Sequence, residues 1–164
     1  MASIDKNNGN RAMLDRNGHG VQQLGDMLSF AVYTADHVFG QLYRRVLETT
    51  GLTYPQYLVM VALWDRDGLR VKDIGEALFL DSGTLTPLLK RLERAGFITR
   101  ARSHRDQREL LIRLTPSGNA LRDHAAAIAV SIDQALGLDP TAIQQLQGAV
   151  NDLRDRIART ISER

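Results

Sequence analysis

The stretch LSFAVY, Leu28 to Tyr33, places a hydroxyl and a phenol on one face of a predicted helix. Ser29 and Tyr33 are four residues apart, the spacing at which helical side chains become neighbours. Tyr43 and Tyr54 follow along the chain. Tyrosine hydroxyls are hydrogen-bond donors that can hold a small reactive atom near Ser29. The chain contains no cysteine, which excludes disulfides, thiolate metal sites and thiol catalysis.

The separation of these side chains constrains any shared site. Tyr43 is fourteen residues beyond Ser29, about 21 Å along a continuous helix at ~1.5 Å per residue. Tyr43 therefore cannot reach Ser29 of its own helix, and would have to arrive from an antiparallel partner subunit. A site built from both residues is predicted to lie at a dimer interface.

An enzymatic role for Ser29 has little support in the sequence. The chain has no G-x-S-x-G turn to expose a nucleophilic serine. Of the four histidines, His37 is the nearest to Ser29 in its helix, but eight residues correspond to roughly 12 Å, too far for proton transfer. The four show no metal-ligand spacing. We predict that the chain is not an enzyme and needs no cofactor.

Basic residues are concentrated in one window. The chain of 164 residues has a formal net charge of +2, whereas the segment from Ser82 to Arg113 carries +5. Such a block on a nearly neutral protein is typical of a polyanion partner, the alternative being a solvated arginine-rich surface. A helical interaction protein that binds no DNA would leave this window unexplained.

The first half of this window predicts a helix with an apolar and a polar face. Leucines at positions 85, 88, 89 and 92 follow helical spacing and form the inward face. The opposite face and the N-terminal end are predicted to approach base edges and phosphates, unless the N-terminal hydroxyls merely cap the helix. These candidate DNA-binding residues are Ser82, Thr84, Thr86, Lys90 and Arg91.

The second half, FITRAR and RELLIRL joined by SHRDQ, predicts a β-hairpin with a basic tip. Arg102, Arg105 and Arg108 can enter a minor groove, where the negative potential is strong. Asp106 opposes phosphate binding, so we assign it to pairing with Arg108 and fixing the loop. The alternative is an ordinary solvated turn.

Helical periodicity covers most of the rest of the chain. Residues 1–20 predict a mobile tail, and an amphipathic helix from Val21 is predicted to end at Gly51. Thr53 and Gln56 form a capping-box pattern that starts a second helix. Pro87 is tolerated if its helix starts near Gly83 or Thr84, and Thr115-Pro116 and Asp139-Pro140 predict the starts of two final helices.

These elements predict a mainly α fold with a small β-wing, a winged helix-turn-helix with long N- and C-terminal helices forming a dimerisation region. The predicted regions are the tail (1–20), an N-terminal dimerisation helix (21–52), the DNA-binding region (53–115) and C-terminal dimerisation helices (116–164). No apolar run approaches the roughly 18 residues of a membrane span and no signal pattern opens the chain, so we expect a cytoplasmic protein.

Three stretches, GLTYPQYLVMVALW, LFLDSGTLTPLLKRLERAGFI and RDQRELLIRLT, resemble the MarR family of winged-helix repressors, and within it the organic-hydroperoxide repressor (OhrR-like) group. The resemblance covers roughly Leu24 to Leu136 and includes a D-x-R wing motif at Asp106 and Arg108. It implies a homodimer on a palindromic double-stranded operator, with recognition helices in major grooves and wings in minor grooves.

The group senses hydroperoxide through a cysteine in a C-F-A-x-Y context, which reads SFAVY here. Ser29 stands at the cysteine position, while Tyr33, Tyr43 and Tyr54 match the tyrosines that surround the thiolate in the family. A serine hydroxyl is not ionised without a base and cannot form a sulfenic acid. By this resemblance the chain keeps the pocket and lacks the reactive atom.

Two explanations of Ser29 are open. It is either an engineered Cys→Ser replacement that holds the repressor in a reduced-like, DNA-binding state, which we favour, or a natural residue in a relative that responds to a small aromatic ligand. The ligand at the dimer interface is accordingly a hydroperoxide or a small hydrophobic molecule. Ser131 is a weak candidate for the position of a second, resolving cysteine.

Overall fold

The computed structural model of the protein describes residues 13–14, 20–21, 23–102 and 109–163. Two short strands, β1 (Met13–Leu14) and β2 (Gly20–Val21), pair in antiparallel fashion. The rest of the tail predicted for residues 1–20 lies outside the described residues. By its contacts the chain divides into two compact units, Met1–Leu42 and Tyr43–Arg164, and the four regions predicted from the sequence stay predictions.

The first long helix, α1, spans Leu28–Val46. The prediction that it starts at Val21 is wrong, because Val21 belongs to β2 and a 3-10 turn covers Leu24–Asp26. Met27 has an extended backbone (φ −85°, ψ 115°) between that turn and the helix, and this conformation interrupts helical hydrogen bonding. Apolar residues keep their helical spacing on both sides of Met27, so the sequence pattern does not reveal this interruption.

The α-helix also ends earlier than predicted, at Val46. After α1 the chain makes a second 3-10 turn, Glu48–Thr50, and Gly51 adopts a left-handed conformation with φ of 68°. Glycine occupies this region without the steric penalty of a Cβ. Gly51 therefore ends this 3-10 turn rather than the α-helix itself.

Helix α2 spans Tyr54–Asp65 and begins with the predicted capping residues. The Gln56 Oε1 atom accepts hydrogen bonds from the Thr53 backbone N–H (2.9 Å) and hydroxyl (3.0 Å). Helix α3 spans Val71–Leu78, and helix α4 spans Ser82–Arg94. The short turn between α3 and α4 gives a helix-turn-helix.

Helix α4 starts earlier than predicted, because Asp81 is its N-cap and accepts a hydrogen bond from the Thr84 backbone N–H at 2.9 Å. Pro87 is consequently the sixth residue of the helix and lies inside it rather than in its first turn. A proline there leaves the carbonyl four residues earlier, at Gly83, without its helical donor. Gly83 is exposed, so water can satisfy this carbonyl.

A three-stranded antiparallel sheet follows, with strand order β3-β5-β4. Strands β4 (Ile98–Arg102) and β5 (Leu110–Leu114) are the predicted hairpin, whereas β3 (Leu69–Arg70) was not predicted. Two residues are too few to show an alternating pattern. The helix-turn-helix followed by this hairpin confirms the predicted winged helix-turn-helix in a mainly helical chain.

The C-terminal part contains α5 (Pro116–Ala120), α6 (Arg122–Leu136) and α7 (Pro140–Ser162). A single helix from Pro116 to Leu136 was predicted, but Leu121 separates two. Both predicted caps are present: the Thr115 hydroxyl accepts from the Gly118 N–H (3.0 Å), and Asp139 accepts from two backbone N–H groups.

The helices α2, α3 and α4 and the three-stranded sheet form the winged helix-turn-helix, which we call the reading unit, and its core consists of their apolar side chains. Their packing holds α4, the recognition helix, and the β4–β5 hairpin, the wing, on one scaffold. The fully buried members are Val59, Met60, Leu63, Ile74, Leu85, Leu89, Leu92, Ile98 and Ile112.

Gly118 fixes the junction between the wing and the C-terminal helices. A Cβ placed on Gly118 would lie 1.9 Å from the Phe97 carbonyl oxygen. The Gly118 carbonyl accepts a hydrogen bond from the Trp64 indole N–H (3.0 Å), and the Phe97 carbonyl accepts from the Thr115 N–H (3.0 Å). Backbones this close leave no room for any side chain.

We expect Gly118→Ala to lower the free energy of unfolding by roughly 3 kcal/mol, because the methyl group must displace the Phe97 backbone. Gly148→Ala is the matched control, since nothing lies within 4 Å of a Cβ there and alanine favours a helix. Chemical denaturation of both variants measures the difference. Equal stability of the two would mean that the junction is not tightly packed.

Candidate nucleic-acid interface and aromatic cluster

Helix α4 turns one face to solvent because its leucines pack inward. Leu85, Leu89 and Leu92 are buried, with exposed fractions of 1%, 2% and 0%. The predicted DNA-binding residues Ser82, Thr84, Lys90 and Arg91 are all exposed. Their outward position is what contact with a duplex requires, and the contact itself stays a prediction.

Thr86 differs from the other predicted contacts. It is half-buried, and its hydroxyl donates to the Ser82 carbonyl at 2.6 Å. Four residues on a helix advance the side chain about 40° beyond a full turn, and a contact of Thr86 with DNA stays a prediction. Thr86 lies at the edge of the outward face.

Sequence reasoning missed the centre of the exposed face, which includes Pro87 and Arg94. Both residues are exposed, and they lie three residues before and four residues after Lys90. The Arg94 Nε atom donates to the Lys90 carbonyl at 3.3 Å. Helical spacing counted from Lys90 would have found both residues.

The N-terminus of α4 is held by Asp81 and Thr84. The Asp81 carboxylate accepts from the Thr84 N–H (2.9 Å) and hydroxyl (3.0 Å). These hydrogen bonds, the backbone one first, hold the pKa of Asp81 below its usual value. The capping role that was considered for Ser82 and Thr84 belongs to Asp81, and Thr84 supplies a donor to it.

The wing residues are only partly described. Arg102, the last residue of β4, is exposed. Arg105, Asp106 and Arg108 lie outside the described residues, so the pairing of Asp106 with Arg108 stays a prediction.

One basic residue of the wing hairpin, Arg100, forms an ion pair within the chain. The Arg100 guanidinium donates to the Glu93 carboxylate of α4, with Nε 2.8 Å from Oε2. This hydrogen bond lowers the pKa of Glu93 and raises that of Arg100. Arg100, counted above among the basic residues of the window, is thus paired within the chain.

Arg70, which the sequence did not single out, joins three elements. Its guanidinium donates to Asp73 in the first turn of α3 (2.6 and 2.8 Å) and to Glu109 just before β5 (2.9 Å). Hydrogen bonding with Arg70 lowers the pKa of Asp73. No periodicity or motif signals a contact between residues that lie 39 positions apart.

Three tyrosines and a tryptophan form an aromatic cluster along α2. The rings of Tyr43 and Tyr54 stack with centroids 3.9 Å apart, and Tyr57 lies 6.1 Å from Tyr43. Trp64 meets Tyr57 edge to face at 5.9 Å. Sequence reasoning found Tyr43 and Tyr54 but missed Tyr57, which the spacing of three from Tyr54 on a helix would have added.

The cluster determines the ionisation of Tyr43. Burial, the neighbouring phenols of Tyr54 and Tyr57, a hydrogen bond with Tyr54 and the charge of Asp133 together raise the pKa of Tyr43 to about 12. Burial also raises the pKa of Tyr57. The Tyr43 hydroxyl therefore stays protonated to a higher pH than an ordinary phenol.

Ser29 and Tyr33 lie near the start of α1, and both are exposed. The Tyr33 ring is 67% exposed and stacks at 6.5 Å on His37, one turn further along the helix. Ser131, in α6, is exposed and donates to the Ala127 carbonyl at 2.8 Å. A role for Ser131 in place of a cysteine stays a prediction.

Known proteins similar to this chain are transcriptional regulators. A model of the MarR family matches residues 52–110. The chain is 45% identical to the HTH-type transcriptional regulator TtmR of Methylorubrum extorquens (strain PA1) over 83% of this chain and 70% of that protein. It is 41% identical to the organic hydroperoxide resistance transcriptional regulator of Bacillus subtilis (strain 168) over 82% of this chain and 92% of that protein.

A solved structure is similar as well. Reduced AbfR bound to DNA superposes with a TM-score of 0.73 at 34% identity, covering 84% of this chain and 94% of AbfR, a protein of Staphylococcus epidermidis.

The chain belongs to the MarR family. This confirms the resemblance identified from the sequence, including the likeness to the organic-hydroperoxide group, and identifies a DNA-binding transcriptional regulator rather than an enzyme. None of the helices in the described part of the chain combines the length and the apolar character needed to cross a bilayer.

The raised pKa of Tyr43 predicts a specific loss of stability at high pH. Below about pH 10, the ordinary pKa of tyrosine, both folded and unfolded chains keep Tyr43 protonated. Between pH 10 and about 12 the unfolded chain ionises first, so the free energy of unfolding falls. We expect Tyr43→Phe to lose less stability over this interval, as measured by urea denaturation at each pH. Identical pH profiles would contradict the burial of this hydroxyl.

Proposed function

We propose that this MarR-family protein is a homodimeric, cytoplasmic repressor of the organic-hydroperoxide-responsive type that binds a palindromic operator in double-stranded DNA. In this form it lacks the redox-active cysteine, with Ser29 at that position. The observation that carries the proposal is the exposed cationic face of α4 beside a basic wing, on the fold of a regulator that has been solved bound to DNA.

The face of α4 suits a major groove. Its N-terminal turn presents the small side chains of Ser82, Gly83 and Thr84, which allow a close approach to base edges, and the helix dipole favours phosphate there. Further along the same helix Lys90, Arg91 and Arg94 supply positive charge for the sugar–phosphate backbone. The wing, with Arg102, Arg105 and Arg108, would reach an adjacent minor groove.

The long helices support a dimer. Helix α7 exposes a row of apolar side chains at helical spacing, of which Leu146 is 55%, Val150 56% and Ile157 51% exposed. On α1, Leu28 and Val38 are 62% and 61% exposed. Apolar stripes of this length need burial, and a second copy of the same chain would cover them.

We expect Arg108→Ala to weaken binding to the operator by about tenfold while the dimer persists, because the wing loses a cation in the minor groove. Arg159→Ala, which removes the same charge from α7, should bind almost as the unmodified protein. Fluorescence anisotropy with labelled duplex at several salt concentrations measures affinity, and sedimentation measures the dimer. Equal affinities of the two variants would contradict the wing assignment.

The proposed sensor joins residues of two subunits. Tyr43, held protonated by its surroundings, would donate a hydrogen bond to the residue at position 29 of the partner copy. A thiolate there would gain from such donors, since hydrogen bonds to the charged form lower a thiol pKa. Ser29 keeps the position neutral, which favours a permanently reduced-like repressor.

We expect cumene hydroperoxide to leave the Ser29 protein bound to DNA, because serine oxygen cannot form a sulfenic acid. Ser29→Cys should restore release at stoichiometric hydroperoxide, as measured by anisotropy before and after thiol reduction. Ser131→Cys is the control for a cysteine elsewhere. A Ser29→Cys protein that stays bound would contradict the sensor. Release of that bound complex by a small aromatic acid would favour the alternative, a ligand-responsive repressor.

A further inference from the structure

Two arginine–carboxylate contacts attach the wing hairpin to the helices of the reading unit. On one side, Arg100 of β4 donates to Glu93 of α4, with Nε 2.8 Å from Oε2. On the other side, Arg70 of β3 donates to Glu109, which directly precedes β5, at 2.9 Å. Arg70 also holds Asp73 of α3. We call these two contacts the wing clamps.

The wing clamps act at neighbouring positions of the same strand. In the ladder, Arg70 pairs with Leu111 and Arg100 pairs with Ile112, both in β5. Strand β3 pairs with β5 through only two residues. The buried side chains of Ile98 and Ile112 attach the base of the hairpin to the core, and the two arginine contacts add fixed points at both edges of the sheet.

The chemistry of these contacts is suited to fixing the orientation of the wing hairpin more than to stabilising the fold. Arg70 uses Nε and Nη2 against Asp73 and Nη1 against Glu109, and a planar guanidinium fork enforces its geometry on both carboxylates. The side chains of Arg70 and Glu109 are 48% and 35% exposed. Ion pairs this exposed contribute little to global stability.

We propose that Arg70 and Arg100 are positioning residues for DNA binding: with Glu109, Asp73 and Glu93 they hold the wing at a fixed angle to α4, so that wing and recognition helix reach the duplex together. The inference rests on the proposed DNA contacts of α4 and the wing. It assigns a role to residues that need not touch DNA.

Substitution of the acidic partners distinguishes a positioning role of the arginines from a direct effect of charge on DNA binding. Glu93 and Glu109 carry negative charge close to the wing and the recognition helix, and such charges repel a polyanion. Neutralising either one should therefore tighten DNA binding if charge alone matters. If the wing clamps position the wing, the same change weakens binding, because the arginine loses a charged acceptor.

The experiment compares Glu109→Gln and Glu93→Gln with Glu76→Gln. Glu76 is the matched control, since it is an exposed glutamate of α3 that pairs with Lys72 of its own helix, at 3.5 Å. Affinity for operator duplex is measured by anisotropy from about 50 to 200 mM salt, and thermal unfolding verifies that each variant is folded. Arg70→Lys, which keeps the charge without the fork, is measured alongside.

We expect Glu109→Gln and Glu93→Gln to bind about tenfold more weakly than the unmodified protein, with a shallower dependence on salt because wing cations no longer meet phosphates. Arg70→Lys should weaken binding in the same direction. Glu76→Gln should bind equally or more tightly with an unchanged salt dependence.

Two outcomes would overturn the inference in different ways. If the unmodified protein binds the duplex and Glu109→Gln and Glu93→Gln bind at least as tightly, the acids only tune charge, and the proposed function stands without the wing clamps. If the unmodified protein itself binds no duplex at low salt, the proposed function fails and the inference fails with it.

Discussion

The burial of leucines along one side of α4 decides what the rest of the reading unit presents to solvent. Leu85, Leu89 and Leu92 pack into the core with side chains of α2, α3 and the sheet. Because a helix is rigid, fixing one face fixes the opposite face as well, and the exposed face carries Lys90 and Arg94. Asp81 supports this arrangement by capping the helix at the end where bases and phosphates would approach.

The wing is joined to the helices both by apolar packing and by charge. Ile98 of β4 and Ile112 of β5 are buried in the core, and the contacts of Arg100 with Glu93 and of Arg70 with Glu109 add polar links at the surface. Polar contacts at an exposed surface fix direction at little gain in stability.

The aromatic cluster at α2 is held together by the packing of its own rings. Tyr43, Tyr54 and Tyr57 pack on each other, and this packing keeps the Tyr43 phenol protonated far above neutral pH.

Local physics made most of the fold predictable. The capping residues Thr53, Thr115 and Asp139 carry their signal in adjacent positions, and Gly51 marks a left-handed end. The start of α1 could not be predicted, since the interruption at Met27 is a backbone conformation that apolar spacing does not report. The outward face of α4 was predictable, because the leucines that define the buried face follow helical spacing.

The sequence by itself determined the winged helix-turn-helix, the basic window and the absence of a thiol, because each follows from residue type and short-range spacing. Only the tertiary structure decided that Arg70 reaches Glu109 and Asp73, that Arg100 is paired with Glu93, and that Gly118 lies against the Phe97 backbone. These contacts join residues from separate elements, and their partners are set by how the elements pack, which local spacing does not encode.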